Sequence, residues 1–177
     1  WLPLEANGDA AVKACEKLPH HPTLPRIRQV GQVGSAAYVA MDFPDGQLLS
    51  TRLGETFGVP ELMRMGGQIA DALATIHTQG VFHGELSAES VLLAGERAFL
   101  WDMPLVIANR LTDRRGEERL MQQLVKTAHY LCPERARGAP ASAEGDVYAL
   151  GAVLSIAAGA VLSAGSTLSV VHSVATY

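Results

Sequence analysis

One stretch constrains this chain more than any other: His83-Gly84-Glu85-Leu86-Ser87-Ala88-Glu89-Ser90, a polar segment held between Val81-Phe82 and Val91-Leu92-Leu93. Apolar flanks pin the backbone while the polar side chains between them stay available, which is how active-site loops are commonly built. An ordinary surface turn fits the same residues, and the stretch alone does not separate the two. What precedes it is helical in pattern. Leu62, Met65, Ile69, Leu73 and Ile76 recur at three- and four-residue intervals, so a helix from Pro60 has one apolar face. Pro60 suits a first turn and Gly80 suits a C-terminal cap. Beyond the loop, Val91-Leu92-Leu93 and Arg97-Ala98-Phe99-Leu100-Trp101 flank Ala94-Gly95-Glu96, the pattern of a tight hairpin.

Upstream, residues Trp1 to Asp9 show no period, and Ala10 to Leu18 reads as a short Ala-rich helix stopped by Pro19. Leu24 to Val30 alternates like a strand, Gly31 to Gly34 reads as a turn, and Ala37 to Phe43 reads as a second strand. Pro44-Asp45-Gly46 then ends the subregion. Gly31 and Gly34 spell Gly-x-x-Gly, but no lysine follows on the next strand to complete a phosphate cradle, so a hairpin turn is the better reading. Downstream, Asn109 to Gln123 is dense in Arg and Glu, an exposed loop or a short solvated helix. From Val147 to Tyr177 there is no Asp, Glu, Lys or Arg, a run long enough to span a bilayer. Gly159, Gly165 and His172 interrupt it, which favours a buried helix over Val147 to Ala158 and leaves the rest open.

Composition removes several function classes. A hydrophobic content of 48% with 18% charged residues suits a packed core and argues against disorder. A net charge of −4 carries no nucleic-acid or polybasic membrane signature. Cys15 and Cys132 are too few for a disulfide framework, which fits a reducing, cytoplasmic setting. Neither lies at metal-ligand spacing from another Cys or His, and His20-His21 lacks partners too, so structural thiols and surface histidines are expected. A chain opening on Trp1 without a signal peptide reads as a piece of a longer protein.

With its surroundings, the loop resembles the catalytic loop of the eukaryotic-type (Hanks-type) serine/threonine protein kinases, His-Arg-Asp-Leu-Lys-Pro-Glu-Asn. The family's His, Leu and Glu fall on His83, Leu86 and Glu89. Its Arg becomes Gly84, its catalytic Asp becomes Glu85, its Lys becomes Ser87 and its metal-binding Asn becomes Ser90. Other landmarks follow in order. His21-Pro22 resembles the His-Pro-Asn after helix C, and Tyr38 to Phe43 resembles the strand and hinge at the adenine site, with Met41 at the gatekeeper place. Asp102-Met103-Pro104 falls where Asp-Phe-Gly is expected, and Tyr130-Leu131-Cys132-Pro133-Glu134 is similar to Tyr-x-Ala-Pro-Glu. Asp146-Val147-Tyr148-Ala149-Leu150-Gly151 resembles the start of helix F. No segment resembles the opening strands with their glycine-rich loop. Lys13, in Ala11-Val12-Lys13, lies too close to His21-Pro22 to be the ion-pairing lysine, and Val12 falls near the place of helix C's ion-pairing Glu.

The resemblance implies an α+β, protein-kinase-like fold: a partial N-lobe over residues 1–43, with the end of helix C and a hairpin, then a mainly helical C-lobe core over 44–159. An apolar tail of unassigned structure follows over 160–177. It also implies site roles. Glu85 keeps the carboxylate of the catalytic base position one methylene further out, and Ser87 replaces the charge that steadies the transferred phosphoryl. Asp102 can hold a metal, Ser90 offers only a hydroxyl for a second one, and Met41 and Phe43 line the nucleotide side. Glu134 and Asp146 are expected to be scaffolding, and His83 a packed core histidine. Pro104 fixes φ and removes a donor where the family has glycine, which locks that loop. Thr112 and Thr127 are phosphoacceptors by position only.

A bacterial-type, degenerate pseudokinase is therefore the leading expectation: a regulatory or scaffolding domain for a partner protein. Mg-ATP is the one cofactor the resemblance implies, and the substitutions weaken that implication. Nucleic acid is not an expected partner, and membrane contact is expected only if the apolar tail spans. The alternative is an active serine/threonine kinase that passes the ATP γ-phosphate to protein hydroxyls. A further possibility is a truncated product with no stable function of its own.

Overall fold

The structure, a computed structural model, describes residues 15–33, 36–104, 106 and 128–159. Helix α1 runs over Val59–His77 with Pro60 in its first turn, and it buries Met65, Ile69, Leu73 and Ile76 as their spacing requires. At its end the Gly80 N–H donates to the His77 carbonyl (2.9 Å) and the Val81 N–H to the Ile76 carbonyl (3.2 Å). This paired closure is a Schellman cap, and it needs a left-handed residue. Gly80 supplies it at φ +68°. The cap turns the chain out of the helix and into the loop at His83.

Strands β1 (Ile27–Val33) and β2 (Ala36–Met41) form one antiparallel sheet. The turn expected at Gly31 begins later, because Gly31 lies inside β1 opposite Tyr38. A Cβ at Gly31 would come within 2.7 Å of the Tyr38 ring. The glycine thus admits an aromatic ring instead of making a turn. The second sheet has the order β3-β4-β5, from Gln47–Leu48, Val91–Ala94 and Arg97–Leu100. Ala94 pairs with Arg97 around a two-residue turn, as the sequence suggested, and the strand stops one residue short of Trp101.

A short helix α2 covers Pro133–Ala136, and α3 covers Ala143–Ala157. The Gly145 N–H donates to the Ser142 hydroxyl (3.1 Å), so α3 begins before the uncharged run, on a capping serine. Its burial is one-sided, which corrects the expectation of a fully buried helix. Asp146, Ala149, Leu150, Val153 and Ala157 face inward, while Val147 is 63% and Tyr148 44% exposed. Lack of charge marked the helix without marking which face packs. Among the described residues no helix is long and apolar enough to cross a membrane.

The core joins these pieces through Leu49, Ile69, Leu73, Leu86, Leu100 and Val153, all buried. The segment before β1 is stitched on by polar bonds. His21 Nε2 lies 3.0 Å from the Asp71 carboxylate on α1, and the Leu100 N–H donates to the Thr23 carbonyl (2.9 Å). His21 is therefore a tucked, bonded histidine and not a free surface one, whereas His20 is exposed. Both thiols are buried and unbridged, and burial pushes Cys15 up to about 11. The readings of Val12, Lys13, Asn109 to Gln123, Thr112, Thr127 and the 160–177 tail lie outside the described residues.

One buried carboxylate ties α3 back to the loop. Asp146 is fully buried and accepts the His83 N–H at 2.7 Å and the Gly84 N–H at 2.6 Å. Two substitutions test this frame. Gly80→Ala puts a Cβ at positive φ and lowers stability by about 1–2 kcal/mol in urea unfolding. Asp146→Ala strands the His83 and Gly84 N–H groups and His77 Nε2–H together and costs more, on the order of 3 kcal/mol, by the same measurement.

Candidate active-site loop

The loop is held from three sides. From α3, Asp146 fixes the backbone at His83 and Gly84, and its Oδ2 also receives the His77 Nε2–H (2.8 Å) from the end of α1. Taking a carboxylate out of water is costly, and three converging donors repay that cost. Within the loop, the Glu85 N–H donates to His83 Nδ1 at 3.3 Å. With Nδ1 accepting, the imidazole proton is on Nε2. That nitrogen lies 3.0 Å from Asp102 Oδ1. His83 is wholly buried, so the core histidine expected from sequence also orients the Asp102 carboxylate.

Ser87 and Ser90 serve the loop's own shape. Ser87 caps the short 3-10 turn Ala88–Ser90: its hydroxyl accepts the Glu89 N–H (3.2 Å), and the Ser90 hydroxyl accepts the Ser87 N–H (3.3 Å). This reciprocal pair is a capping box. Ser87 and Ser90 are 4% and 1% exposed, so both hydroxyls point into the protein.

The Asp102 turn packs directly beside them. The Trp101 N–H donates to the Ser90 carbonyl (3.2 Å), and its indole Nε1–H donates to the Glu89 carbonyl (2.7 Å). Asp102 accepts the Val106 N–H at its backbone carbonyl (3.0 Å), so the chain after it coils at once into a helical turn. Met103 is buried, and the Pro104 carbonyl lies 3.5 Å from the Cys15 sulfur, which ties this turn to the segment before β1. The Asp102 side chain is 18% exposed, and its second oxygen has no hydrogen bond among the described residues.

On the strand side, Met41 ends β2 opposite Ile27 and is half-buried. Phe43, 56% exposed, meets the Trp101 ring edge-on at 5.5 Å. The structure therefore links the Glu85 backbone and the Asp102 carboxylate through His83, ties the Ser90 carbonyl to the Trp101 N–H, and sets Phe43 against the Trp101 ring. Met41 stays in its strand. Glu134 is exposed on α2, and Asp146 is the scaffold that the sequence suggested. Sequence reasoning missed Trp101 as the link between loop, turn and Phe43. Its only signal was its place next to Asp102.

These residues can position a carboxylate and carry a hydrogen-bond relay. Among the described residues no group of three His, Cys, Asp or Glu side chains is arranged to hold a metal ion. One oxygen of Asp102 is left without a hydrogen bond among the described residues, and a lone carboxylate oxygen would be only one ligand of a hard cation. The Ser90 hydroxyl is already engaged by the Ser87 N–H.

Comparison with known proteins agrees with this geometry. The protein kinase domain family matches residues 10–170. The probable serine/threonine-protein kinase PknB of Lactococcus lactis is 30% identical over 138 residues, covering 76% of this chain and 21% of the relative. The serine/threonine-protein kinase PkaA of Streptomyces coelicolor is 35% identical over 140 residues, covering 76% and 25%. PknB of Mycobacterium tuberculosis is 29% identical over 142 residues, covering 76% and 22%. The chain thus matches about a fifth to a quarter of the length of these curated relatives. A kinase-like α+β fold with a hairpin and a mainly helical remainder follows, and the chain belongs to the protein kinase family, among the Hanks-type serine/threonine kinases of bacteria.

Proposed function

We propose that this domain is a pseudokinase, a regulatory or scaffolding module built on a kinase frame that has lost most of its phosphate-steering groups. The observation that carries the reading is the Ser87–Ser90 capping box. Both hydroxyls are turned inward and spent on the loop, where the family places a lysine and a metal-binding amide. Phosphoryl transfer depends on positioned positive charge around the transferred group. The family uses Mg-ATP, and here Asp102 is the residue suited to a cation. Its inner oxygen is already engaged by His83. In this reading residues 44–159 are the C-lobe core that partners recognise.

A second reading is an active serine/threonine kinase. Two observations favour it: Glu85 keeps a carboxylate in a loop whose backbone N–H at that residue is bonded to His83, and the relatives are named as kinases. It would use Glu85 to orient a substrate hydroxyl and the outer oxygen of Asp102 for one magnesium ion. A glutamate displaced by on the order of 1 Å costs about a hundredfold in rate without abolishing it.

The two readings separate in the full-length protein. For a pseudokinase, Mg-ATP raises the melting temperature by less than about 1 °C over ATP with chelator, and no phosphate is incorporated. A magnesium-dependent rise of several degrees, with incorporation lost in Asp102→Ala, would overturn the proposal. Restoring the family's groups gives a second check. The triple change Glu85→Asp, Ser87→Lys and Ser90→Asn is expected to increase magnesium-dependent nucleotide binding at least about tenfold, the size of one charge-assisted contact.

A further inference from the structure

We propose that the solvent face of α1 pairs with the same face of a second copy of this chain, the two helices lying antiparallel. Helix α1 is apolar on two sides. Met65, Ile69 and Ile76 point into the core, while Val59 and Met63 on the opposite side are 68% and 73% exposed. The outer face continues through Gly67, Ala70 and Ala74, all exposed. Helical residues spaced by three and four share a face, so these five form one stripe. A Cβ at Gly67 would meet nothing within 4 Å, so among the described residues no other element covers the middle of it. A contiguous apolar stripe left in water marks a contact surface more often than scattered apolar residues do.

Shape and charge together select a second copy. Gly67, Ala70, Asp71 and Ala74 stand at i, i+3, i+4 and i+7, the four corners of a hole that a facing helix fills with one side chain. Met63 is the long, adaptable side chain of the same stripe, and in an antiparallel pair it lies level with that hole on the other copy. A twofold axis makes the contact twice. The charges of α1 that are exposed are Arg64 and Asp71. Seven residues, about two turns, separate them, so both sit on one flank of the stripe. An antiparallel pair crossing near Gly67 sets Arg64 of each copy level with Asp71 of the other. A parallel pair leaves the two charges about 10 Å out of step. Both groups are open to a partner. Arg64 makes no ion pair among the described residues, although it shares a shallow groove with Glu61 and Glu96. His21 holds one Asp71 oxygen at 3.0 Å, and the Asp71 side chain stays 74% exposed. A partner of one charge sign would satisfy one of these groups and oppose the other, whereas a second copy satisfies both. The inference holds whether or not the domain transfers phosphate.

The test is sedimentation velocity on the full-length protein over a concentration series. The unchanged protein is expected to dimerise reversibly. Met63→Glu, Arg64→Asp and Asp71→Arg are each expected to weaken the dimer at least about tenfold, since the twofold axis applies every change twice. Rescue reads the register. Arg64→Asp mixed with Asp71→Arg re-forms a dimer between the two variants, and the double variant re-forms one with itself, which mere loss of the His21 bond could not produce. Met63 is exposed in the single copy, so Met63→Glu leaves the melting temperature unchanged at concentrations where the protein is monomeric. Four results would each overturn the proposal. They are a monomer throughout the series, a dimer indifferent to all three single changes, and weakening by the charge reversals that neither the mixture nor the double variant restores. The fourth is a lowered melting temperature of monomeric Met63→Glu, which would put this face under another part of the same chain.

Discussion

Everything around the loop depends on a buried carboxylate at the start of a helix. Asp146 reaches His83, Gly84 and His77 at once, so α3, the end of α1 and the loop hold one fixed arrangement. The capping serine one turn earlier sets where α3 begins, and so places the carboxylate. Apolar packing could bring the same helices together, but it is non-directional and would not orient two particular backbone N–H groups. Directional acceptors inside a low-dielectric core do that work.

The relay outward from this point is short. His83 is held by its backbone from α3, and its ring carries the constraint to Asp102. Trp101 then clamps the residue before Asp102 to the Glu89 and Ser90 carbonyls and touches Phe43 at the strand exit. The frame around the loop rests on the Asp146 carboxylate and on backbone and core contacts, none of which uses the side chains of Gly84, Glu85, Ser87 or Ser90. Gly84, Glu85, Ser87 and Ser90 replace four of the family's polar groups without disturbing the bonds to Asp146. Ser87 and Ser90 have instead taken on a capping task that stabilises the loop locally.

Much of this was legible beforehand. The α1 stripe, its glycine cap and the β4–β5 hairpin follow from apolar periodicity and local turn chemistry, which act over a few residues and are written in the chain. Places where a residue's role depends on a distant partner were misread. Gly31 looked like a turn residue because the ring that excludes a side chain there belongs to Tyr38 on the next strand. His21 looked like a surface histidine because its partner, Asp71, lies fifty positions away.

Sequence alone determined the long helix, the β4–β5 hairpin and the order of the family's motifs, because hydrophobic period, turn chemistry and motif spacing are local and ordered. Only the tertiary structure decided which way the polar side chains turn. The Ser90 hydroxyl faces the Ser87 N–H, one Asp102 oxygen faces His83, and Val147 faces out of a helix whose composition suggested full burial. A hydroxyl or carboxylate takes whichever partner satisfies it at least desolvation cost. That choice depends on neighbours brought together only when the chain has folded.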